Sequence, residues 1–103
     1  MSVGVDVVIV THQSQGHIAA CLDSLIGAPG VGAVVVVDND STDETATIVA
    51  ARPSVKWTPT GTNRGFGAAA NRGIALTTSR FIVVANADTV FARIRQDRDE
   101  PWA

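Results

Sequence analysis

The sequence predicts an α/β fold with a mainly parallel open sheet and flanking helices. Four apolar segments typical of strands alternate with three segments of helical spacing, and polar residues follow each apolar segment. Strands that alternate with helices through short connections form right-handed crossovers, which produce a parallel sheet. With 103 residues, of which 46% are hydrophobic and 17% charged, the chain is expected to fold as one ordered domain.

The first half of the chain predicts a strand, a helix and a second strand. Residues Val5 to Val10 are nearly all β-branched, which is typical of a strand buried on both faces. Between His17 and Ile26 the apolar residues recur at helical spacing, and Cys21 lies on that apolar face and is predicted to be core. The run Ala33 to Val37 predicts the second strand, and the polar cluster 38–41 closes it.

The second half continues the alternation of helices and strands. Ser41 and Glu44 have the spacing of a capping box, which predicts a helix that begins at Thr42 and ends near Arg52, before Pro53. An alternating strand at 55–58 is placed at a sheet edge, a helix follows the loop 61–67, and a fourth strand spans 81–85. The apolar stripe predicted for the last helix consists of Phe66, Ala70, Gly73, Ile74 and Thr77.

Composition excludes several classes of partner and location. The formal net charge of -2 provides no general attraction to nucleic acid or to an anionic membrane, so no nucleic acid is expected and membrane association is not indicated. The single cysteine excludes an internal disulfide, and no secretory signal or spanning segment is apparent, so a cytoplasmic location is expected. Six of the 18 charges lie within residues 93–100. We therefore assign residues 1–91 to the folded domain and residues 92–103 to a charged tail outside its core.

Ligands of an open parallel sheet bind at the carboxyl ends of its strands, because loops and helix N-termini converge there. We therefore expect the binding residues to follow the strands. The polar residues at these positions are Thr11, His12, Gln13 and Ser14 after the first strand, Asp38, Asn39 and Asp40 after the second, Asn63, Arg64 and Gly65 after the third, and Asn86 and Asp88 after the fourth.

The same segments carry a family resemblance. They read, in order, VVIVTHQS, VVVVDNDSTDET, TNRGFGAAANRGI and FIVVANADT. Their order and spacing resemble the nucleotide-sugar-binding half of family 2 glycosyltransferases with a GT-A fold, and most closely the rhamnosyltransferase-like branch. The resemblance covers residues 3–91.

The resemblance implies an inverting transfer of a sugar from a nucleotide-diphosphate donor to a glycan or lipid-linked acceptor, in cell-wall polysaccharide biosynthesis. The branch suggests dTDP-rhamnose as the donor. Asp88 is expected to hold a divalent metal, Mg²⁺ or Mn²⁺, because a hard cation bound by carboxylate oxygen neutralises the departing diphosphate. The residues expected to bind the nucleotide sugar are Thr11, Asp38, Asn39, Asn63, Gly65 and Asn86.

The chain departs from the family pattern at His12, Gln13, Asp40 and Ala87, where family members often have Tyr, Asn, a small residue and Pro. The pattern also stops after residue 91, before the acceptor half and its catalytic base. The catalytic residues therefore stay unassigned, and we expect a truncated transferase that binds donor but is inactive alone.

Other interpretations of these residues stay open at this point. The segment 38–43 could serve as a loop and helix cap, Asn63 as part of a turn, and Asp88 as a strand end. His12 and His17 are expected to have no catalytic role. A dinucleotide-binding module is an alternative, because Gly65, Gly67 and Ala70 fit G-x-G-x-x-A. A non-catalytic domain that oligomerises through an incomplete sheet is another.

Overall fold

The computed structural model of the chain describes residues 4–91, so the predicted charged tail lies outside the described residues. All seven predicted elements are present, with ends that differ from prediction by a few residues. In chain order they are β1 (Val5–Thr11), α1 (Ile18–Leu25), β2 (Val31–Asp38), α2 (Thr45–Ala50), β3 (Lys56–Pro59), α3 (Gly65–Ile74) and β4 (Phe81–Asn86).

The four strands form one sheet in the order β3-β2-β1-β4, and all three pairings are parallel. This confirms the predicted fold class and the predicted edge position of β3. The register pairs Thr11 with Asp38 and Val10 with Asn86. The carboxyl ends of β1, β2 and β4 therefore lie side by side.

Both faces of the two central strands are buried, as their continuous apolar runs predict. On one face, Val7, Ile9, Val34 and Val36 pack against α1 and α2, and Cys21 is part of this core. On the other face, alternate residues of the same strands pack against α3. No helix among residues 4–91 is long and apolar enough to cross a membrane.

The face of α3 that packs on the sheet differs from the predicted stripe. Ala69, Ala70 and Gly73 are buried, whereas Phe66 and Ile74 are 47% and 37% exposed. A Cβ atom at Gly73 would lie 2.8 Å from Cγ2 of Val37 and closer still to Val8. The helix approaches the sheet so closely that only small side chains fit beneath it, and the larger apolar residues are turned outward.

The predicted capping box is wrong. The helix α2 begins at Thr45, and the Ser41 hydroxyl donates a hydrogen bond to Asp38 rather than capping the helix. The N–H groups that precede α2 have partners in the neighbouring loop: Oε1 of Gln13 accepts from Thr42 at 2.7 Å, and Oε1 of Gln15 accepts from Glu44 at 3.0 Å. The N–H of Thr45, the first residue of α2, donates to Oδ1 of Asp43 at 3.0 Å, so Asp43 rather than Ser41 accepts the hydrogen bond at the start of the helix.

Candidate functional site

A cleft of about 480 Å³ lies at the carboxyl ends of the strands. Six of the seven residues predicted to bind donor or metal line it, namely Thr11, Asn39, Asn63, Gly65, Asn86 and Asp88. Its other lining residues are Val10, His12, Gln13, Ser14, His17, Phe66 and Ala87. The topology thus brings segments that are up to 77 residues apart, from Thr11 to Asp88, to one opening.

Asp38 is the one predicted binding residue that does not line the cleft. Its side chain is 3% exposed, and its Oδ1 accepts hydrogen bonds from Oγ1 of Thr11 at 2.6 Å and from Oγ of Ser41 at 2.5 Å. Its Oδ2 accepts from the N–H of Ser41 at 2.8 Å. These donors stabilise the buried carboxylate, and they direct it into the loop after β2 instead of into the cleft.

Asn39 lines the cleft although the residue is only 3% exposed. Its Nδ2 donates to the carbonyl of Gly65 at 3.1 Å, and its Oδ1 accepts from the N–H of Arg64 at 3.2 Å. Asn63 in turn accepts from the N–H of Gly65 at 2.9 Å. Gly65 has a φ of +83°, a left-handed conformation that favours glycine. Asn39 therefore anchors the loop that carries Asn63 and Gly65, two further predicted nucleotide-binding residues.

Two loops at the strand ends are joined by hydrogen bonds and form one unit. The N–H of Gln13 donates to Oγ of Ser41 at 2.8 Å, and the N–H of Ser14 donates to Oγ1 of Thr45 at 3.0 Å. Gln13 and Asp40 adopt positive φ values of 50° and 60°, which non-glycine residues rarely adopt without compensating contacts. Asp40 itself is exposed and does not line the cleft.

Residues outside the predicted binding set also line the cleft, among them His12, His17 and Phe66. His12 is exposed, and its Nδ1 lies 2.6 Å from the carbonyl oxygen of Asn39. His17 immediately precedes α1, and Phe66 lies in the first turn of α3. Their positions just after β1 and at the start of α3 were the available signal, since segments that follow parallel strands meet at one edge.

Asp88 is exposed and lies in a turn after β4, in which the N–H of Thr89 donates to the carbonyl of Asn86 at 3.1 Å. Burial raises the pKa of the Cys21 thiol to about 11, and the negative charge of Asp88 adds to the rise.

The residues around Asp88 fit a cation that is shared with a substrate. Among residues 4–91, no group of three or more His, Cys, Asp or Glu side chains could hold a metal ion. Mg²⁺ is commonly held by one or two carboxylates together with substrate phosphates rather than by an all-protein cage. The exposed carboxylate of Asp88 and the amide of Asn86, which both line the cleft, would offer hard oxygen ligands of that kind.

The chain is thus an α/β domain in which polar residues at the carboxyl ends of the strands surround a cleft that includes Asp88. The family model for glycosyl transferase family 2 matches residues 6–95. The chain belongs to this family, as the sequence predicted.

Known proteins similar to the chain agree with this assignment. The succinoglycan biosynthesis protein ExoO of Rhizobium meliloti (strain 1021) is 36% identical over 88% of the chain and 26% of its own length. An N-acetylglucosaminyl-diphospho-decaprenol L-rhamnosyltransferase of Mycobacterium tuberculosis is 41% identical over 67% of the chain and 23% of its own length. The chain thus spans about a quarter of the length of these curated relatives.

The solved structure of the mannosyltransferase PcManGT from Pyrobaculum calidifontis, in complex with GDP-Man and Mn²⁺, superimposes with a TM-score of 0.76. It is 27% identical in sequence, and the match covers 90% of this chain and 30% of that one. This similarity confirms the predicted GT-A type of fold.

Proposed function

We propose that this chain is the donor-binding part of a glycosyltransferase and that its cleft binds a nucleotide-diphosphate sugar together with a divalent cation. The observation that carries the proposal is the convergence of six predicted site residues, including Asp88, on one cleft. The bound GDP-Man and Mn²⁺ of the archaeal mannosyltransferase support the same type of ligand.

In this proposal the two sides of the cleft have different roles. Asp88 and Asn86, after β4, would hold the cation and the diphosphate. When bound there, the cation would offset the negative charge of the diphosphate leaving group. Thr11, Asn39 and the loop of Asn63 and Gly65 form the side toward β2 and would accommodate the nucleoside.

We also propose the finer identity of the reaction. The rhamnosyltransferase relative, 41% identical, supports a dTDP-rhamnose donor and a glycan or lipid-linked acceptor, with inversion at the sugar carbon. The proposed location is cytoplasmic, which agrees with a single cysteine that is buried and unpaired. We expect the 103-residue chain to bind donor without transferring sugar, and a robust transfer rate measured with the purified chain would contradict this.

Calorimetric titration with nucleoside diphosphates and Mn²⁺ tests the proposal. Asp88→Asn should abolish or weaken metal-dependent binding at least about tenfold, because among residues 4–91 it removes the one carboxylate that lines the cleft. Asp40→Asn is the matched control, since it removes the same charge from an exposed residue outside the cleft, and asparagine tolerates the positive φ of 60°. Equal affinity of Asp88→Asn and the wild type, with both folded, would refute the metal assignment.

The dinucleotide-binding alternative is disfavoured by the connection between β3 and α3. Five residues, 60–64, separate the end of β3 from Gly65, whereas the dinucleotide fingerprint places its first glycine directly after the strand. Fluorescence titration with NADH should accordingly show no binding under conditions in which a nucleoside diphosphate with Mn²⁺ binds.

A second function, association through the sheet edge, is favoured by one observation. On β4, Phe81, Ile82 and Val83 are 54%, 36% and 39% exposed, and an exposed apolar edge strand is a surface for pairing with another chain. We propose that the chain oligomerises there. Ile82→Lys should shift sedimentation toward the monomer, whereas Thr58→Lys on the opposite edge should not. A wild-type chain that is strictly monomeric would exclude this function.

A further inference from the structure

We propose that His12 determines nucleoside specificity, and that its Nε2 accepts a hydrogen bond from a donor group on the nucleoside of the ligand. This inference rests on the proposed function, because it assumes that the cleft binds a nucleoside diphosphate. At His12 the chain departs from the family pattern, in which this position is often Tyr. Its contacts in the structure assign it a defined chemical role.

The first step concerns the tautomer of the imidazole. Nδ1 of His12 lies 2.6 Å from the carbonyl oxygen of Asn39. A carbonyl oxygen only accepts hydrogen bonds, so Nδ1 must carry the hydrogen. In a neutral imidazole the other nitrogen then has a lone pair and no hydrogen. Nε2 is therefore an acceptor, at the opposite side of the ring from its anchor.

The second step concerns the rigidity of that anchor. The N–H of Asn39 donates to the carbonyl of Thr11 at 2.8 Å, and its side chain is bonded to the loop before α3. The N–H of His12 donates to Oγ of Ser14 at 3.1 Å. Backbone and ring of His12 are thus both held before any ligand arrives. A preoriented acceptor loses little conformational entropy on binding and discriminates between ligands more sharply.

The third step is elimination among the residues at the same strand ends. Asp38 and Asn39, which the sequence predicted for the base or ribose, are each 3% exposed. Their side-chain oxygens accept hydrogen bonds from Thr11, Ser41 and Arg64 within the protein. His12 is exposed, lines the cleft, and has no hydrogen-bond partner for Nε2 among the described residues. Among the cleft residues at the ends of β1 and β2, namely residues 11–14 and 39, His12 therefore has the side-chain group that is free to contact a ligand.

The fourth step places the contact along the ligand. The strand order puts β1 between β4, which carries Asp88, and β2, which carries Asn39. With the diphosphate at Asp88, the nucleoside extends toward β2, where the His12 ring is anchored. The matching donor is either the ring N–H of a keto base such as uracil or guanine, or a ribose hydroxyl. Both present a hydrogen to Nε2, whereas the corresponding ring nitrogen of adenine or cytosine is itself an acceptor.

Two substitutions separate the anchor from the acceptor. His12→Asn places an amide N–H near the position of Nδ1 and can still bond to the Asn39 carbonyl, but it has no acceptor at the position of Nε2. His12→Gln reaches that position with its amide oxygen. Calorimetry at pH 8 with Mn²⁺ should show roughly three- to tenfold weaker binding of UDP or GDP to His12→Asn. His12→Gln should recover affinity to within about threefold of the wild type.

Modified ligands identify the source of the hydrogen. If the base supplies it, 3-methyl-UDP or 1-methyl-GDP should bind the wild type more weakly than the parent nucleotide, and His12→Asn should bind both equally. If a ribose hydroxyl supplies the hydrogen, the 2′,3′-dideoxy nucleotides should instead bind the wild type more weakly than the parent nucleotide, and His12→Asn should bind the two equally. In either case the effects of changing protein and ligand are not additive.

Three results would count against the assignment, and they are distinguishable. Equal affinity of wild type and His12→Asn for the parent nucleotides would refute the role of His12 and leave the proposed function intact. Additive effects of His12→Asn with both kinds of modified ligand would show that the ring acts indirectly. Failure of the wild type to bind any nucleoside diphosphate would overturn the proposed function and this inference together.

Discussion

Two buried aspartates lie at opposite ends of the sheet. Asp6, near the start of β1, and Asp38, at the end of β2, are 2% and 3% exposed. Asp6 accepts hydrogen bonds from the N–H groups of Ala33 (2.8 Å), Thr78 (3.0 Å) and Ser79 (3.1 Å), and from Oγ of Ser79 at 2.7 Å. It therefore connects β1 to β2 and to the segment that leads into β4.

Asp38 makes more local contacts. It joins the end of β1, through Thr11, to its own loop, through Ser41. At the same end of the sheet, His12, Asn63 and Asp88 are exposed to solvent. The two ends of the sheet therefore differ: at the amino end, which we call the closed end, a buried carboxylate links β1, β2 and the segment before β4, whereas the carboxyl end, which we call the open end, exposes polar groups in the cleft.

The packing at the closed end also requires a glycine at position 32. A Cβ atom at Gly32 would lie 2.6 Å from Oδ1 of Asp6, a distance at which one of the two must move. Burial by itself raises the pKa of Asp6. The hydrogen bonds that its carboxylate accepts lower the pKa by a larger amount, to about 2; they come from the Ser79 hydroxyl and from the N–H groups of Ala33, Thr78 and Ser79. The carboxylate and the glycine therefore act as one structural unit.

The largest expected effect is that of Asp6→Asn. The amide keeps the shape of the side chain but removes the charge and turns an NH₂ group toward N–H donors. We expect a loss on the order of 3 kcal/mol in the free energy of unfolding, measured with urea. Nucleotide affinity of the folded fraction should be unchanged. Asp40→Asn, which removes an exposed charge, is the control. If the two variants unfolded at the same urea concentration, the closed end would not depend on Asp6.

Gly32→Ala should have the next largest effect, roughly 1–3 kcal/mol, because the new methyl group displaces the Asp6 carboxylate. Gly16→Ala is the matched control, since a Cβ there meets nothing within 4 Å. In an Asp6→Ala background the cost of Gly32→Ala should fall, because the clashing atom is gone. An undiminished cost in that background would trace the effect to the strand itself.

The sequence predicted most of the fold and only part of the site. Apolar runs and periodicity located six of the seven elements, a capping box and a proline indicated α2, and the parallel topology then placed the strand ends together. The sequence could not show that Asp38 is turned inward, because its partner Thr11 is 27 residues away. The capping-box prediction failed for a similar reason, since Gln13 satisfies donors 29 and 30 residues later. Long-range hydrogen bonds of loop side chains leave no local periodic signal.

Acid should lower the free energy of unfolding by protonating Asp6 at the closed end of the sheet. The pKa of Asp6 is about 2 in the folded chain and its ordinary value is 3.8, so the unfolded chain binds the proton more tightly. The stabilisation is complete above about pH 4 and is lost as the pH falls toward about 2. It amounts to no more than about 2 kcal/mol, since solvent near the sheet end screens part of it.

The measurement for this prediction is the difference in unfolding free energy between wild type and Asp6→Asn at pH 5, 4, 3 and 2. Subtracting the variant removes the contributions of the exposed Asp23 and the half-buried Asp43, whose carboxyl pKa values are also lowered. The difference should shrink steadily with acid. A difference that stayed constant to pH 2 would mean that the carboxylate charge does not stabilise this end.

The smallest expected effect lies at the open end. Thr11→Val keeps the side-chain shape and removes the 2.6 Å hydrogen bond to Asp38, which retains two donors from Ser41. We expect a loss of about 1 kcal/mol in unfolding free energy, with Thr11→Ser close to the wild type because it keeps the hydroxyl. The loss should be smaller than that of Asp6→Asn, since the loop after β2 has other supports whereas three chain segments meet at Asp6. A Thr11→Val variant as destabilised as Asp6→Asn would remove the distinction between the two ends of the sheet.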